Sequence, residues 1–351
     1  MKKYEIAVIP GDGIGKEVVR EAIKVIDKEA DNSNFKVEFS YFDWGSDYYF
    51  KNNKMMPENA LDLLSKFKSI FLGAVGHPDI QDHITLNGLL LPIRRNFDQF
   101  ACLRPSALFE GVVSPLANVT TGNIDMIVVR ENTEGEYANV GGFQYKGLPD
   151  EVAIQTAVFT RKGIERVINF AFKLSMDRNK KLTSVTKSNA QGYSMVLWDE
   201  VFNDVSTLYP EVETESLLID AACMDFIRRP ESFDVVVASN LFGDILTDIA
   251  AMITGGLGLA SSGNIAFDTN SPSMFEPTHG SAPDIAGKNI ANPLAQILTG
   301  AMMLSHLGES ESAMNIRSAV QKVLKEGKYL TSDMGGTATT TKCAKAVSDL
   351  L

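Results

Sequence analysis

Hydrophobic and polar positions alternate along the chain in a pattern typical of an α/β protein. Short apolar runs such as "YEIAVIP", "IDMIVVR" and "FDVVVASN" have the length and β-branched content of buried strands. Between them lie longer stretches with apolar residues at helical spacing, for example from Lys16 to Ala30. Because strands that alternate with helices favour a largely parallel sheet, we predict an α/β fold.

The segment "NLFGDILTDIAAM", from Asn240 to Met252, is predicted to be a helix that carries two acids on one face. Asp244 and Asp248 lie four residues apart, where like charges repel each other. They could be a chance pair on a solvated surface. They could also form part of a divalent metal site, because Mg²⁺ and Mn²⁺ prefer carboxylate oxygens. The helix alone does not decide between these interpretations.

Composition and charge narrow the class of protein. The 351 residues are 44% hydrophobic and 22% charged, as in an ordinary globular protein of about two domains. A net charge of −11 argues against nucleic-acid binding, and it means that an anionic substrate would need a local cluster of arginines. We expect a cytoplasmic protein, because no secretory signal or membrane-spanning run is evident. Three widely spaced cysteines fit reduced thiols.

Glycines follow the first strand in "GDGIG", as they do in dinucleotide-binding proteins. Gly11, Gly13 and Gly15 give the spacing GxGxG, which differs from the GxGxxG of a Rossmann fold. A tight turn from strand to helix, which needs small residues, explains the motif equally well.

Titratable side chains lie where several predicted strands end or helices begin, and ligands gather at the carboxyl ends of parallel strands. Any one of them could be a solvated charge, but as a set they suit a small polycarboxylate that chelates a metal. Arginines bind carboxylates, aspartates bind metals, and lysine and tyrosine can transfer protons. The candidates are Arg94, Arg104, Arg130, Tyr137, Lys187, Asp220, Asp244 and Asp248. The four histidines are not spaced as a zinc site.

Five motifs resemble those of the β-decarboxylating 2-hydroxyacid dehydrogenases, which include isocitrate, isopropylmalate, D-malate and tartrate dehydrogenases. They are "IPGDGIGKEV", "VVRENTEGEY", "TKSN", "SNLFGDILTD" and "FEPTHGSAPDIAGKNIANP", in the order of the family and along the whole chain. Two further stretches, "FDWGSDYY" and "GAVGHPDIQDHITLNGLLLPIRRNFDQ", resemble the tartrate and D-malate branch.

The resemblance implies an isopropylmalate/isocitrate dehydrogenase-like two-domain fold, not a Rossmann fold. Residues 1–100 and 255–351 would form the large domain on the cofactor side. Residues 101–254 would form an inserted middle domain with the dimer interface and the metal and catalytic residues. The active site would lie in the cleft between the domains, and each site of the homodimer would borrow a lysine and an aspartate from the other subunit.

The same resemblance implies a role for each candidate. Lys187, the catalytic base, and Asp220, a metal ligand, would be donated in trans, and Asp244 and Asp248 would complete the Mn²⁺ or Mg²⁺ site. Tyr137 would be the catalytic tyrosine that protonates the enolate carbon. The remaining substrate contacts would be Arg94, Arg104 and Arg130 for the carboxylates and Leu90 and Leu91 for the side group. Pro92 departs from the family pattern, so this helix is expected to start later or to be kinked.

Cofactor choice is implied by "HGSAPDIAGKNIAN". Asp284 and Ile285 match relatives that use NAD, in which the aspartate holds the ribose hydroxyls, and a carboxylate there would repel a 2′-phosphate. The other implied cofactor contacts are Asn189 at the nicotinamide and His279, Gly280 and Asn292 on the adenine side. A monovalent cation such as K⁺ is a further candidate.

The implied function is NAD- and divalent-metal-dependent oxidative decarboxylation of a (2R)-malate-type acid. D-Malate, which would give pyruvate and CO₂, and tartrate are the expected substrates. An alternative of the same class is 3-isopropylmalate dehydrogenase, because Leu90 and Leu91 could line an apolar pocket. A different-class alternative is a non-catalytic regulatory subunit, against which the complete set of candidate catalytic and binding side chains argues.

Overall fold

A computed structural model describes residues 2–351, which form two compact units. The first unit runs to Gln99 and resumes over Ala107–Asn123 and Ala251–Leu351, and the second comprises Phe100–Ser106 and Ile124–Ala250. Residues 107–123 group with the first unit, whereas the sequence analysis expected them in the inserted domain. Within residues 2–351, no helix has the length and apolar character needed to cross a membrane.

The described residues contain twelve strands. They are β1 (Lys2–Gly11), β2 (Phe35–Tyr41), β3 (Ser69–Ala74), β4 (Ala101–Ala107), β5 (Asp125–Glu131), β6 (Gly135–Gln144), β7 (Val152–Val158), β8 (Lys181–Thr186), β9 (Glu213–Leu218), β10 (Val235–Ala238), β11 (Ser261–Ile265) and β12 (Ser273–Pro277).

Twelve α-helices lie between and after the described strands. They are α1 (Gly15–Asn32), α2 (Ser46–Asn52), α3 (Ala60–Leu64), α4 (Asp82–Thr85), α5 (Leu91–Asn96), α6 (Arg161–Met176), α7 (Ser194–Ser206), α8 (Ile219–Arg228), α9 (Asn240–Ile253), α10 (Leu294–His306), α11 (Ser310–Glu326) and α12 (Thr340–Ser348). Short 3₁₀ turns follow at Pro230–Ser232, Leu257–Leu259 and Ser332–Met334.

The first unit is built on a mostly parallel sheet with the strand order β2-β1-β3-β12-β11. β1 pairs in parallel with β2 and β3, β12 pairs in parallel with β3, and only β11 runs antiparallel to its neighbour β12. Helix α1 packs against α10 and α12, so that its apolar face joins Ile6 and Val8 of β1 in one buried core.

The second unit contains the strand order β4-β5-β10-β8-β9, in which the pairings of β10 with β5 and β8, and of β8 with β9, are parallel. Its core holds Trp198, whose Nε1 donates to Ser184 Oγ at 2.9 Å. Strands β6 and β7 pair separately as an antiparallel hairpin, which the sequence analysis did not predict. The alternating parallel α/β architecture is confirmed in both units.

The helix from α4 to α5 is interrupted by a π-helical turn over Leu86–Leu90. The N–H of Leu91 donates to the carbonyl of Leu86, five residues earlier, immediately before Pro92. Because proline lacks an N–H and its ring collides with the preceding helical turn, a widened turn relieves the strain. Helical residues already begin at Asp82, so a later start is not observed, and the irregularity before Pro92 takes the form of a π turn.

The "GDGIG" motif forms the tight turn between β1 and α1. Gly11 has a φ of +68° and Gly13 a φ of +53°, in the left-handed region that favours glycine. A Cβ atom at Gly11 would lie 2.0 Å from the carbonyl oxygen of Ala74, so no other residue fits there. The glycines thus serve backbone packing, in agreement with the tight-turn interpretation.

Candidate active site

The N-terminus of α9 follows β10 and is capped by an acid from the β6–β7 hairpin. Glu136 accepts hydrogen bonds from Ser239 Oγ at 3.1 Å and from the backbone N–H of Leu241 at 3.2 Å. A carboxylate at this position satisfies an otherwise unpaired helical N–H and complements the helix dipole. The cap ties β6 to the helix that carries Asp244 and Asp248.

Asp244 is surrounded by cationic and hydroxyl donors of the second unit. Its Oδ1 accepts hydrogen bonds from Arg104 Nη1 at 3.1 Å and from Arg130 Nη1, and its Oδ2 accepts one from Tyr137 Oη at 3.0 Å. Both arginines are buried, so these ion pairs are poorly screened by solvent. The structure therefore brings together Asp244 and three other candidate residues, two arginines and a tyrosine, that are distant from it in sequence.

Arg130 is the penultimate residue of β5 and lies against the first turn of α9. Asn240 Oδ1 accepts from Arg130 Nε at 2.9 Å and from Nη2 at 2.7 Å. Gly243 makes room for this arrangement, because a Cβ atom there would lie 2.7 Å from Arg130 Cβ. The guanidinium also lies 5.4 Å from the centroid of the Tyr137 ring, a cation–π contact. The residues of "NLFGD" thus fix the position of the Arg130 side chain.

Arg104 of β4 is held by the next turn of the same helix. Its Nη1 donates to Thr247 Oγ1 at 2.6 Å, and the Thr247 hydroxyl in turn donates to the carbonyl of Gly243 at 2.8 Å. Thr247 is buried, so the hydroxyl is fixed by packing as well as by hydrogen bonds.

Asp248 differs from Asp244 because it has no hydrogen bond or ion pair with any residue among 2–351. Desolvation by neighbouring atoms and the nearby charge of Asp244 raise the pKa of its carboxyl group, although Arg104 and Arg130 oppose the shift. An unpaired carboxylate beside a second one is an unfavourable arrangement that a divalent cation would relieve. The donor set therefore fits a hard metal ion, and the arginines offset the repulsion within the acid pair.

Tyr137 is suited to donate a proton rather than to accept one. Burial, followed by the charge of Asp244, raises the pKa of its hydroxyl above the ordinary value, although Arg130 opposes this effect. The phenol is therefore neutral near pH 7 and carries a transferable proton.

Lys187 and Asp220 form a separate pair in the second unit. Lys187 Nζ donates to Asp220 Oδ1 at 2.6 Å, and neither residue makes a hydrogen bond or ion pair with Asp244 or Asp248. Across residues 2–351, no three acidic, histidine or cysteine side chains converge on one point as metal ligands. Asn189, two residues after Lys187, is exposed to solvent.

In the first unit, Arg94 of α5 is buried and paired with an acid. Its Nη2 donates to Glu276 Oε1 at 2.7 Å, and Asn264 Nδ2 donates to the same oxygen at 2.9 Å. Leu90, at the end of the π turn, is also buried and belongs to a hydrophobic cluster of this unit, whereas Leu91 is only partly buried. Of the two leucines expected at the substrate side group, Leu91 is thus the more accessible.

One candidate cofactor residue of the first unit, Gly280, lines an open groove of about 500 Å³. Gly280 and Ser281 line it together with Gly76 and His77 at the end of β3. His279 lies next to the groove, and its buried Nε2 has no hydrogen-bond partner in the described residues. Burial lowers the pKa of this histidine, so the ring is neutral near pH 7. The Nε2 atom is therefore available for a hydrogen bond with a bound ligand.

The loop after Gly280 shows where the remaining cofactor candidates lie. Asp284 is exposed and has no hydrogen bond or ion pair in residues 2–351, whereas Ile285 packs on the apolar cluster of Ile14 and Val18. Asn292 is occupied by the protein itself, because its Nδ2 donates to Asp333 at 2.9 Å and its Oδ1 accepts from the N–H of Leu294 at 3.0 Å.

Four side chains in these networks were not identified from the sequence. Asn240, Thr247, Glu136 and Glu276 each contact a candidate residue or cap the helix that carries it. The helical spacing of Asn240, Asp244 and Thr247, at positions i, i+4 and i+7, is the signal that could have found two of them.

Two acids, two arginines and a tyrosine thus meet at one helix face of a largely parallel α/β protein, near the carboxyl ends of its strands, where such folds bind ligands. The sequence pattern described as "Isocitrate/isopropylmalate dehydrogenase" matches residues 5–350, and the chain belongs to this family. The resemblance noted in the sequence analysis is therefore confirmed.

Individual relatives span essentially the whole chain. A probable tartrate dehydrogenase/decarboxylase of Agrobacterium vitis is 49% identical, with coverage of 100% of this chain and 98% of the relative. The D-malate dehydrogenase [decarboxylating] of Escherichia coli (strain K12) is 48% identical, covering 100% and 99%. A crystal structure of isocitrate dehydrogenase from Methylococcus capsulatus has a TM-score of 0.89 at 35% identity and covers 99% of both chains. The isocitrate dehydrogenase-like fold is thus confirmed.

Proposed function

We propose that this protein catalyses the NAD⁺- and divalent-metal-dependent oxidative decarboxylation of a (2R)-malate-type acid. D-Malate, which would give pyruvate, CO₂ and NADH, is the preferred substrate in this proposal, and tartrate is the next best. The observation that carries the proposal is the cluster of Asp244, Asp248, Arg104, Arg130 and Tyr137 in a chain similar to enzymes named for these two substrates.

The charges of the cluster support a chelated anionic substrate. Arg104 and Arg130 supply planar donors that suit a carboxylate. Asp244 and Asp248 would hold Mn²⁺ or Mg²⁺ with an oxygen-rich donor set, and Asp220 would be supplied by a second subunit. When bound, the metal would stabilise negative charge on the substrate oxygen during oxidation and decarboxylation. Arg94 would need to exchange its partner Glu276 for substrate, because the two are paired in the structure.

Two groups are proposed to move protons. Lys187, supplied in trans together with Asp220, would accept the proton of the substrate hydroxyl while hydride passes to the nicotinamide. Tyr137 would then deliver its proton to the carbon from which CO₂ has left. The raised pKa of Tyr137 supports the second role, because the phenol keeps its proton near neutral pH.

The first unit is proposed to bind NAD⁺ in the groove beside Gly280, with the exposed carboxylate of Asp284 on the ribose hydroxyls. His279 would meet the adenine through its unpaired Nε2, and Ile285 would support the loop. Asn189 is a further proposed contact of the nicotinamide. Asn292 is proposed to act by fixing the start of α10. K⁺ is a candidate monovalent activator.

A homodimer is the proposed functional state. Helix α8 exposes Met224 (62%) and Ile227 (54%), and α9 exposes Ile245 (43%). Large apolar side chains on two neighbouring helical segments of the chain are typical of an interface. The middle-domain boundaries 101–254 remain part of this proposal.

The test is turnover of D-malate with Mn²⁺ and NAD⁺. The proposal expects one NADH and one CO₂ for each D-malate consumed, and complete loss of both after EDTA treatment. Full activity without metal would contradict the metal assignment. No turnover of any acid by the folded dimer would favour the regulatory subunit.

A further inference from the structure

One face of α9 contacts both Arg104 and Arg130, and two of the three side chains that make these contacts are uncharged. Asn240, Asp244 and Thr247 lie at positions i, i+4 and i+7, so their side chains project from the same face. Asn240 contacts Arg130, Thr247 contacts Arg104, and Asp244 contacts both arginines between them.

The amide and the hydroxyl act as fixed acceptors without adding charge. Asn240 is 1% exposed and Thr247 is 2% exposed, and each has further hydrogen bonds that hold it in place. Asn240 Nδ2 donates to the carbonyl of Glu134 at 3.3 Å, and the Thr247 hydroxyl donates to its own helix. The positions of the two guanidinium groups are therefore defined by the buried side of α9.

The charge count explains why the acceptors are neutral. Two guanidinium groups face two carboxylates, that of Asp244, with which they pair, and that of Asp248, whose charge acts on both, so the positive and negative charges of the cluster are balanced. The whole chain carries a net charge of −11 and repels an anion at long range. An acid at position 240 would make the cluster negative at a poorly solvated place, where charges interact strongly, and would weaken its attraction for an anion.

We propose that Asn240 and Thr247 are positioning residues for substrate binding: as neutral acceptors they fix Arg130 and Arg104 without adding a further negative charge, which would weaken the attraction of the two arginines for a substrate carboxylate. This inference rests on the proposed function, since it assigns the arginines to an anionic substrate. It adds two residues whose effect is on the substrate and not on the cofactor.

The test compares steady-state kinetics of matched variants of the full-length enzyme with D-malate, Mn²⁺ and NAD⁺. Asn240→Asp keeps the side-chain shape and the acceptor oxygen, but it adds a negative charge and removes the Nδ2 donor to the Glu134 carbonyl. It should raise the KM for D-malate by about tenfold or more, while the KM for NAD⁺ changes by less than about twofold. Asn169→Asp is the matched control, because it adds the same charge where the side chain accepts from Tyr209 and contacts no arginine.

A second pair of variants tests position 247 without a change in charge. Thr247→Val keeps the volume and removes the neutral acceptor of Arg104 while leaving Asp244 in place, and it should also raise the KM for D-malate by about tenfold. Thr247→Ser restores the hydroxyl and should return the KM to near the wild-type value. Ser175→Ala is the control for removal of a buried hydroxyl, since the Ser175 hydroxyl donates to the carbonyl of Ala171 in its own helix and contacts no arginine. Thermal unfolding of each variant identifies any that fail to fold.

Three outcomes overturn the inference. The first is an unchanged KM for D-malate in folded Asn240→Asp and Thr247→Val. The second is an equal rise in the KM values for D-malate and NAD⁺, which would indicate a general structural role. The third is failure of Thr247→Ser to restore the KM. If the wild-type enzyme oxidises none of the family's acids, the proposed function itself fails, whereas normal wild-type turnover with unchanged variants overturns only the present inference.

Discussion

Tyr137 donates a hydrogen bond from Oη to Oδ2 of Asp244 at 3.0 Å, and the same carboxylate pairs with Arg104 and Arg130 through Oδ1. One aspartate thus orients a proton donor with one oxygen and two cationic groups with the other. Replacement of Asp244 would disturb all three neighbours at once. The functions of the cluster are therefore better separated by substitutions around Asp244 than at Asp244 itself.

Tyr137→Phe should lower kcat for D-malate by about a hundredfold or more, because the enolate loses its positioned proton donor. The ring and its contact with Arg130 are kept, so the KM for NAD⁺ should not change. Production of NADH and pyruvate in the same assay measures the effect. Tyr209→Phe removes a hydroxyl that bonds to Asn169 outside the cluster, and it should have normal activity. Equal kcat values for Tyr137→Phe and the wild type would exclude Tyr137 as the proton donor.

Asp248→Asn should separate metal binding from protein stability. Without metal, the raised pKa of Asp248 means that the folded protein binds its proton more tightly than the unfolded chain does. The ionised carboxylate therefore destabilises the fold above its folded pKa, and this cost disappears as the pH falls through that value. In EDTA at pH 7, Asp248→Asn should unfold at a higher temperature than the wild type.

In Mn²⁺, by contrast, the wild type should unfold at a higher temperature than Asp248→Asn. The wild type gains stability from metal binding, and the variant gains less. Thermal melts in EDTA and in Mn²⁺ supply both comparisons. The same stabilisation by Mn²⁺ in both proteins would remove Asp248 from the metal site. Asp244→Asn should also weaken metal binding and abolish most oxidation.

Asp284→Ala should raise the KM for NAD⁺ more than the KM for NADP⁺. The exposed carboxylate is proposed to accept hydrogen bonds from the ribose hydroxyls of NAD⁺ and to repel the 2′-phosphate of NADP⁺. Its removal should therefore weaken the binding of NAD⁺ and remove a repulsion from NADP⁺. Initial rates with both cofactors at saturating D-malate measure the two constants. Equal changes for NAD⁺ and NADP⁺ would contradict the ribose contact.

The double substitution Met224→Glu and Ile227→Glu should convert the proposed dimer into a monomer. Two buried acids in an apolar interface are expensive to desolvate. Since Lys187 and Asp220 are proposed to act in trans, activity should be lost together with the dimer. Sedimentation and activity at one protein concentration measure both properties. Leu208→Glu, at another exposed apolar site (69%), is the control. A fully active monomer would contradict donation in trans.

Local patterns in the sequence were enough to predict the main elements and the strand-end candidates. The helix that starts at Asn240 and the strand that ends near Arg130 follow from periodicity, because their side chains repeat at regular spacing. Their meeting does not follow from periodicity. Asn240 and Arg130 are 110 residues apart, and only the pairing of β5 with β10 brings the end of one strand beside the helix after the other.

The π turn before Pro92 and the pairing of Arg94 depend on tertiary contacts, which cannot be predicted from local sequence patterns. The π turn before Pro92 accompanies close packing of Gly88 against Met55, since a Cβ atom at Gly88 would lie 2.6 Å from Met55 Cγ. Arg94 was predicted to bind substrate from its charge and its motif. Its pairing with Glu276, 182 residues away, depends on how α5 and β12 meet in the first unit.

The most direct test of the proposed activity is kcat/KM for four acids with NAD⁺ and Mn²⁺. Family members share a (2R)-malate core and differ at the third carbon, which bears hydrogen in D-malate, hydroxyl in tartrate, isopropyl in isopropylmalate and carboxymethyl in isocitrate. With Leu90 buried, Leu91 is the one of the two expected leucines that has surface left for an isopropyl group, whose burial would contribute about 1.5–3 kcal/mol. We predict the order D-malate, tartrate, isopropylmalate and isocitrate. A preference for isopropylmalate over D-malate of more than about tenfold, roughly 1.4 kcal/mol, would contradict the proposed substrate.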